Sequence, residues 1–168
     1  MIGKFVKGKT VVFIDASNIY FSNKKLNWRV DFLKLKKYME KETDIWNIYF
    51  YTAYETGNKK QKKFIDFLEI IGYIVRTKKV KFIKDNKTGG FHKGNLDVEI
   101  TIDAVHNKEK FDSFLLFSGD SDFEALIRYL KKYKKRCLVF SIKNHISIEL
   151  IKIAKFINIK KLEKYINK

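Results

Sequence analysis

Four aspartates stand where this sequence can most readily assemble chemistry: Asp15, Asp97, Asp120 and Asp122. Asp15 closes the apolar run TVVFID at residues 10–15, and Asp120 follows the run SFLLFS at residues 113–118 after a single glycine. Runs of this kind read as strands buried in a parallel sheet. In open parallel sheets, ligands bind beyond the carboxyl ends of the strands, near a switch in strand order. If the two strands are neighbours, Asp15 and Asp120 meet in space although about a hundred residues separate them along the chain. Crowded carboxylates repel one another, and a hard cation that takes oxygen ligands relieves the repulsion.

Asp122 falls in the first turn of the segment after Ser121, so its carboxylate can face the same strand end. The plainer reading is that it serves only the helix dipole. Residues 97–103 place Asp97, Glu99 and Asp103 on one helix. At about 100° per residue, Asp97 and Glu99 lie about 200° apart and Asp97 and Asp103 about 120° apart, so the three cannot bind one ion. Asp97, in the first turn and preceded by Lys93-Gly94, is best placed to reach the site. Asp103 is expected to orient a neighbour or a water, and Glu99 to be exposed.

The elements that must position these acids alternate along the chain. Strands are expected at residues 10–15, 45–54, 73–75 (with an extension at 80–83), 113–118 and 136–141. Helices are expected at residues 18–26 with Ser17 as cap, at 31–41, and at 59–71 ended by Gly72. Further helices are expected from Asn95 as cap to about His106, at 122–133 with Ser121 as cap, and near 146–153 and 159–166. Gly89 and Gly90 mark a loop or hairpin tip after residue 83. The alternation predicts an α/β fold, a three-layer sandwich with a mostly parallel central sheet and helices on both faces. At 168 residues it predicts one domain, with C-terminal helices at about 146–168.

Composition narrows the partners. Lys and Arg number 36 against 19 Asp and Glu, a net charge of +17, which attracts polyanions such as RNA. Lysine is also a default surface residue in a chain this rich in Ile and Asn and devoid of Pro, so the charge alone decides little. The single cysteine, Cys137, excludes an internal disulfide and suits a reducing cytoplasm. No apolar run is long enough for a membrane span or a signal peptide. The sequence has no Walker phosphate loop and no dinucleotide fingerprint, and His92, His106 and His145 lack zinc spacing.

Three blocks carry a family resemblance: Phe13-Ile14-Asp15-Ala16-Ser17-Asn18, Lys93-Gly94-Asn95-Leu96-Asp97 with Asp103, and Ser118-Gly119-Asp120-Ser121-Asp122-Phe123. In this order they resemble the signature blocks of NYN domains, in the branch that includes LabA-like proteins, across roughly residues 11–141. Ala16 stands where many relatives have glycine, and Asn95 is an extra residue before Asp97. The resemblance implies a PIN-like fold and a ribonuclease dependent on Mg2+ or Mn2+, with Asp15, Asp97, Asp120 and Asp122 as metal ligands and catalytic acids. Around them, Ser17 and Asn18 are expected to hold a phosphate oxygen or a coordinated water, and Ser118 to orient a carboxylate at the substrate. Lys93, with the loop at 84–92, is expected to clamp the RNA backbone.

Two other classes fit part of the pattern. A haloacid dehalogenase-like phosphatase also puts aspartates at strand ends, but it needs a second acid two residues after the first, where this chain has Ser17. A catalytically silent RNA-binding module would explain the basic surface but has no need of an acidic pocket. The sequence also allows a homodimer.

Overall fold

A computed structural model describes residues 1–83 and 91–168, the side chains of residues 21, 23, 24, 81–83 and 91–93 excepted. The elements in chain order are β1 (Lys9–Asp15), α1 (Ala16–Leu26), α2 (Phe32–Glu42), β2 (Asp44–Tyr54), α3 (Lys59–Ile70), β3 (Ile74–Lys79), β4 (Lys81–Ile83), β5 (Phe91–Lys93), α4 (Asp97–His106), β6 (Ser113–Phe117), α5 (Glu124–Lys132), β7 (Arg136–Ser141), α6 (Ile148–Ile153), β8 (Lys155–Asn158) and α7 (Glu163–Ile166). Six strands form one sheet in the order β3-β2-β1-β6-β7-β8, and every pairing in it is parallel. β4 and β5 pair antiparallel as a separate two-stranded ribbon.

Alternation along the strands divides the core in two. Val12, Ile14, Phe50, Leu115 and Phe117 face the layer of α1, α2 and the C-terminal segment. Val11, Phe13, Tyr51, Phe114 and Leu116 face α4, α5 and α6. Successive residues of a strand point to opposite faces, and burial on both faces is why these strands read as unbroken apolar runs. One aromatic cluster lies under the end of β1. Phe13 packs 4.7 Å from Tyr49, 5.1 Å from Phe114 and 5.4 Å from Tyr51, measured between ring centroids, and so anchors β1 two residues before Asp15.

Several local expectations need correction. The segment after α6 contains a sixth strand, β8, before a 3-10 turn and the short α7. Its four residues pair with β7 alone, and so short an edge strand leaves no alternation to read. β3 runs on to Lys79, and its outer half is exposed and charged, as edge strands tend to be. A 3-10 turn, Ser121–Phe123, precedes α5. Neither Ser17 nor Ser121 is a cap, because the aspartates before them take that role. The glycine loop falls within residues 84–90, and it and the side chain of Lys93 lie outside the described residues. Among the described residues no helix is long and apolar enough to cross a membrane.

Cys137 is buried in β7, and burial pushes its thiol up to about 12. The thiolate is the reactive form, so alkylation by iodoacetamide near pH 8 should be slow in the folded protein and complete in denaturant. Equal rates in the two states would contradict this placement.

Candidate functional site

The order of strands reverses between β1 and β6, since β1 leads through β2 to β3 and β6 leads through β7 to β8. That is the switch point at which open α/β sheets bind ligands. The register sets Ile14 opposite Phe117, so the chain leaves both strands side by side, at Asp15 and at Ser118.

Asp15 is the N-cap of α1. Its Oδ1 accepts from the Ser17 backbone N–H at 3.0 Å and from the Ser17 hydroxyl at 2.5 Å, and its Oδ2 accepts from the Ser118 hydroxyl at 3.2 Å. Burial raises its pKa, against these hydrogen bonds, which lower it. Ser118 is fully buried, and its Oγ also accepts from the Asp120 N–H at 3.3 Å. Ser17 and Ser118 therefore hold Asp15 and tie it to the Asp120 turn. Both hydroxyls are engaged by the Asp15 carboxylate.

Asp120 repeats the device of Asp15, its Oδ1 accepting from the Asp122 N–H at 3.0 Å. The third acid comes from α4. Here the side chain of Asn95 holds Asp97 twice, with Oδ1 accepting from its N–H at 2.7 Å and Nδ2 donating to its Oδ2 at 2.5 Å. Asn95 is not the N-cap residue, which is Leu96. The residue that looked like an insertion is thus the brace of an acidic side chain. Each of these turns uses a side-chain oxygen to take the N–H two residues on, which pins the backbone next to every acid.

The result is a group of three carboxylates. Asp97, Asp120 and Asp122 each offer an oxygen, and the three oxygens lie within 4.8 Å of one another. Asp15 is outside this triad but close enough that its charge acts on Asp97. The pKa of Asp97 is raised first by burial, against the Asn95 hydrogen bond, and further by the charges of Asp15, Asp120 and Asp122. Three hard oxygen donors, one disfavoured in its charged form, fit a divalent cation such as Mg2+ or Mn2+.

Asp103 points elsewhere. Its Oδ2 accepts from the Tyr51 hydroxyl at 3.0 Å and from Arg76 Nε at 3.0 Å. Tyr51 sits opposite Asp15 in the β1–β2 register, and burial together with the Asp103 charge pushes its phenol far up, so it stays a neutral donor. Glu99, expected to be exposed, pairs with Lys78 at 2.7 Å and is partly covered. Lys78 Nζ also donates to the Asn95 carbonyl at 3.0 Å, which fastens the start of α4 to the sheet edge. Reading for acids missed Arg76 and Lys78, whose only sequence signal is a basic residue at alternate positions of a strand end.

Two close approaches shape the pocket. A side chain at Gly94 would meet Ala53 Cβ at 2.5 Å, so the approach to α4 must pass over β2 as glycine. A side chain at Gly119 would meet the His145 carbonyl oxygen at 1.9 Å and Ser141 Oγ at 2.8 Å. Ser147 N–H donates to the Gly119 carbonyl at 2.9 Å, so the loop after β7 clamps the Asp120 turn. Asn18 reaches the same corner, its Oδ1 lying 3.4 Å from the Ser141 hydroxyl.

The raised pKa of Asp97 has a measurable sign. The folded protein holds this proton to higher pH than the unfolded chain, whose ordinary value is 3.8. As pH rises above that value the native state binds more protons than the unfolded state, so the contribution of Asp97 to stability falls until the folded group has ionised. Denaturation in EDTA across this range should give a stability difference, Asp97→Asn minus wild type, that grows with pH. Mg2+ should shrink it by stabilising the wild type alone. A difference independent of pH and of Mg2+ would contradict the placement of Asp97.

A parallel sheet in the order 3-2-1 followed by its outward continuation, with acids gathered at the switch point, defines the class. The chain belongs to the NYN domain family, whose pattern matches residues 9–160. It is 32% identical to the Low amplitude and bright protein LabA of Synechococcus elongatus, across 98% of this chain and 90% of that protein. Its fold is similar to the crystal structure of a protein of unknown function from Vibrio parahaemolyticus, with a TM-score of 0.77, 26% identity, and coverage of 91% of this chain and 93% of that one.

Proposed function

We propose that this NYN domain is a metal-dependent ribonuclease that cuts RNA internally at the acidic pocket. The observation that carries the reading is the convergence of Asp97, Asp120 and Asp122 at the sheet's switch point. A chain of net charge +17 that keeps a carboxylate pocket suits a polyanion reached through a cation, because bare carboxylates repel phosphate.

Asp97, Asp120 and Asp122 would hold the ion, and Asp15 adds its charge beside them. When bound, a divalent cation supplies charge neutralisation and Lewis-acid polarisation at a phosphodiester. The residues of the chain do the positioning. Ser17 and Ser118 fix the rotamer of Asp15, Asn95 fixes Asp97, and the Asp120 side chain fixes the backbone of Asp122. Asn18, partly exposed at the same strand end, has an amide that can donate to a phosphate oxygen. Lys93 directly precedes Gly94 in the sequence and is proposed to meet the substrate backbone.

The test is incubation of the purified protein with labelled single-stranded and hairpin RNAs in Mg2+, Mn2+ or EDTA. Cleavage in the metals that is lost in EDTA supports the reading. Tight binding of intact RNA, equal with and without metal, favours a silent RNA-binding module, and hydrolysis of small phosphate monoesters with RNA left intact favours a phosphatase.

A further inference from the structure

The loop that clamps Gly119 has a second side. There Lys143, Asn144 and His145 line a cleft of about 360 Å3, bordered by Lys25 at the end of α1, by Asn158 at the end of β8 and by Lys160 beyond it. We propose that this cleft is a phosphate-binding site for the RNA strand where it extends beyond the acidic pocket, an inference that rests on the ribonuclease reading above.

Two observations converge on it. The cleft contains three lysines and no carboxylate, and among the described residues none of the three enters an ion pair. By contrast, some lysines elsewhere are matched, among them Lys36 by Glu40 at 3.5 Å, Lys62 by Asp66 at 3.0 Å and Lys78 by Glu99 at 2.7 Å. The position is the second observation. The His145 carbonyl packs against Gly119, so one loop borders the acids on one side and lines the cleft on the other. Lys160 also lines a shallower hollow of about 650 Å3, together with Lys34, Lys161, Lys164, Lys168 and one carboxylate, Glu163.

The chemistry recognised is a run of backbone phosphates. Ammonium groups spaced along a groove neutralise successive phosphates without reading bases, and the resulting affinity falls with salt in proportion to the phosphates engaged.

The experiment compares two triple variants of the full chain, K25Q/K143Q/K160Q in the cleft and K59Q/K60Q/K63Q on α3. Both remove the same charge from exposed positions. Binding of a fluorescent single-stranded RNA of about twelve nucleotides is followed by anisotropy in EDTA over a range of salt. The cleft variant should bind about tenfold more weakly and lose about two units of the log–log salt slope, while the α3 variant should change less than about twofold. Equal losses in the two variants would overturn the proposal, because net charge alone would then account for binding. If RNA is cleaved in Mg2+ and the variants bind alike, the cleft fails and the nuclease reading stands. If the cleft variant alone loses affinity while no divalent cation gives cleavage, the nuclease reading fails and the cleft remains an RNA site.

Discussion

Asp120→Asn should cut RNA at least about 10²–10³-fold more slowly than wild type in Mg2+ or Mn2+ while keeping its fold, the range seen when one electrostatic group is removed from a preorganised site. The substitution separates two tasks of one side chain. Asp120 caps the turn through its hydrogen bond to the Asp122 N–H, and asparagine caps nearly as well. The charge offered to a cation beside Asp97 and Asp122 is what is lost. The metal-free variant should therefore melt at or above the wild-type temperature, since one repelling charge is gone, but should no longer be stabilised by added Mn2+. Cleavage at the wild-type rate by a folded Asp120→Asn protein would remove Asp120 from the site.

Gly119→Ala should fail for a different reason. The new methyl group would lie 1.9 Å from a backbone oxygen, that of His145, which has no rotamer by which to move away. Either the loop after β7 or the Asp120 turn must shift, and the Ser147 to Gly119 hydrogen bond couples the two. Overpacking of this kind costs about 1–3 kcal/mol, and displacing a reacting group by about an ångström costs about 10²-fold in rate. Chemical denaturation and cleavage assays on the same protein check both numbers. A variant with wild-type stability and activity would show that the clamp on Gly119 does not position Asp120.

How far the sequence reveals this arrangement depends on the range of the interactions involved. Strand ends closed by acids are local signals, so Asp15 and Asp120 stand out, and the reversal of strand order brings their strands together as expected for an open α/β sheet. Periodicity also selects Asp97 over Glu99 and Asp103, because only one of three acids on a helix can face one point. Caps are less legible. A serine that follows an aspartate looks like a cap, but at Asp15-Ala16-Ser17 and at Asp120-Ser121-Asp122 the first acid accepts the N–H two residues on. That Ser118 orients a carboxylate is legible from its place at a strand end, but only the β1–β6 register reveals that the carboxylate is that of Asp15. Arg76 and Lys78 pair with α4 across the sheet edge, and no spacing in the sequence encodes that contact. The lysine cleft draws on segments more than a hundred residues apart, with Lys25 on α1 and Lys160 after β8, and so was indistinguishable from ordinary surface charge.

Occupancy and activity can be read in the same samples. Mn2+ is titrated into metal-free protein with labelled RNA present, bound Mn2+ is measured by electron paramagnetic resonance, and cleavage is quantified on gels. Three carboxylates acting as one centre predict that cleavage rises in step with Mn2+ bound, and that both are lost together in Asp97→Asn, Asp120→Asn and Asp122→Asn. RNA cleavage that persists in EDTA, or Mn2+ binding that survives removal of these carboxylates, would contradict the assignment of the site.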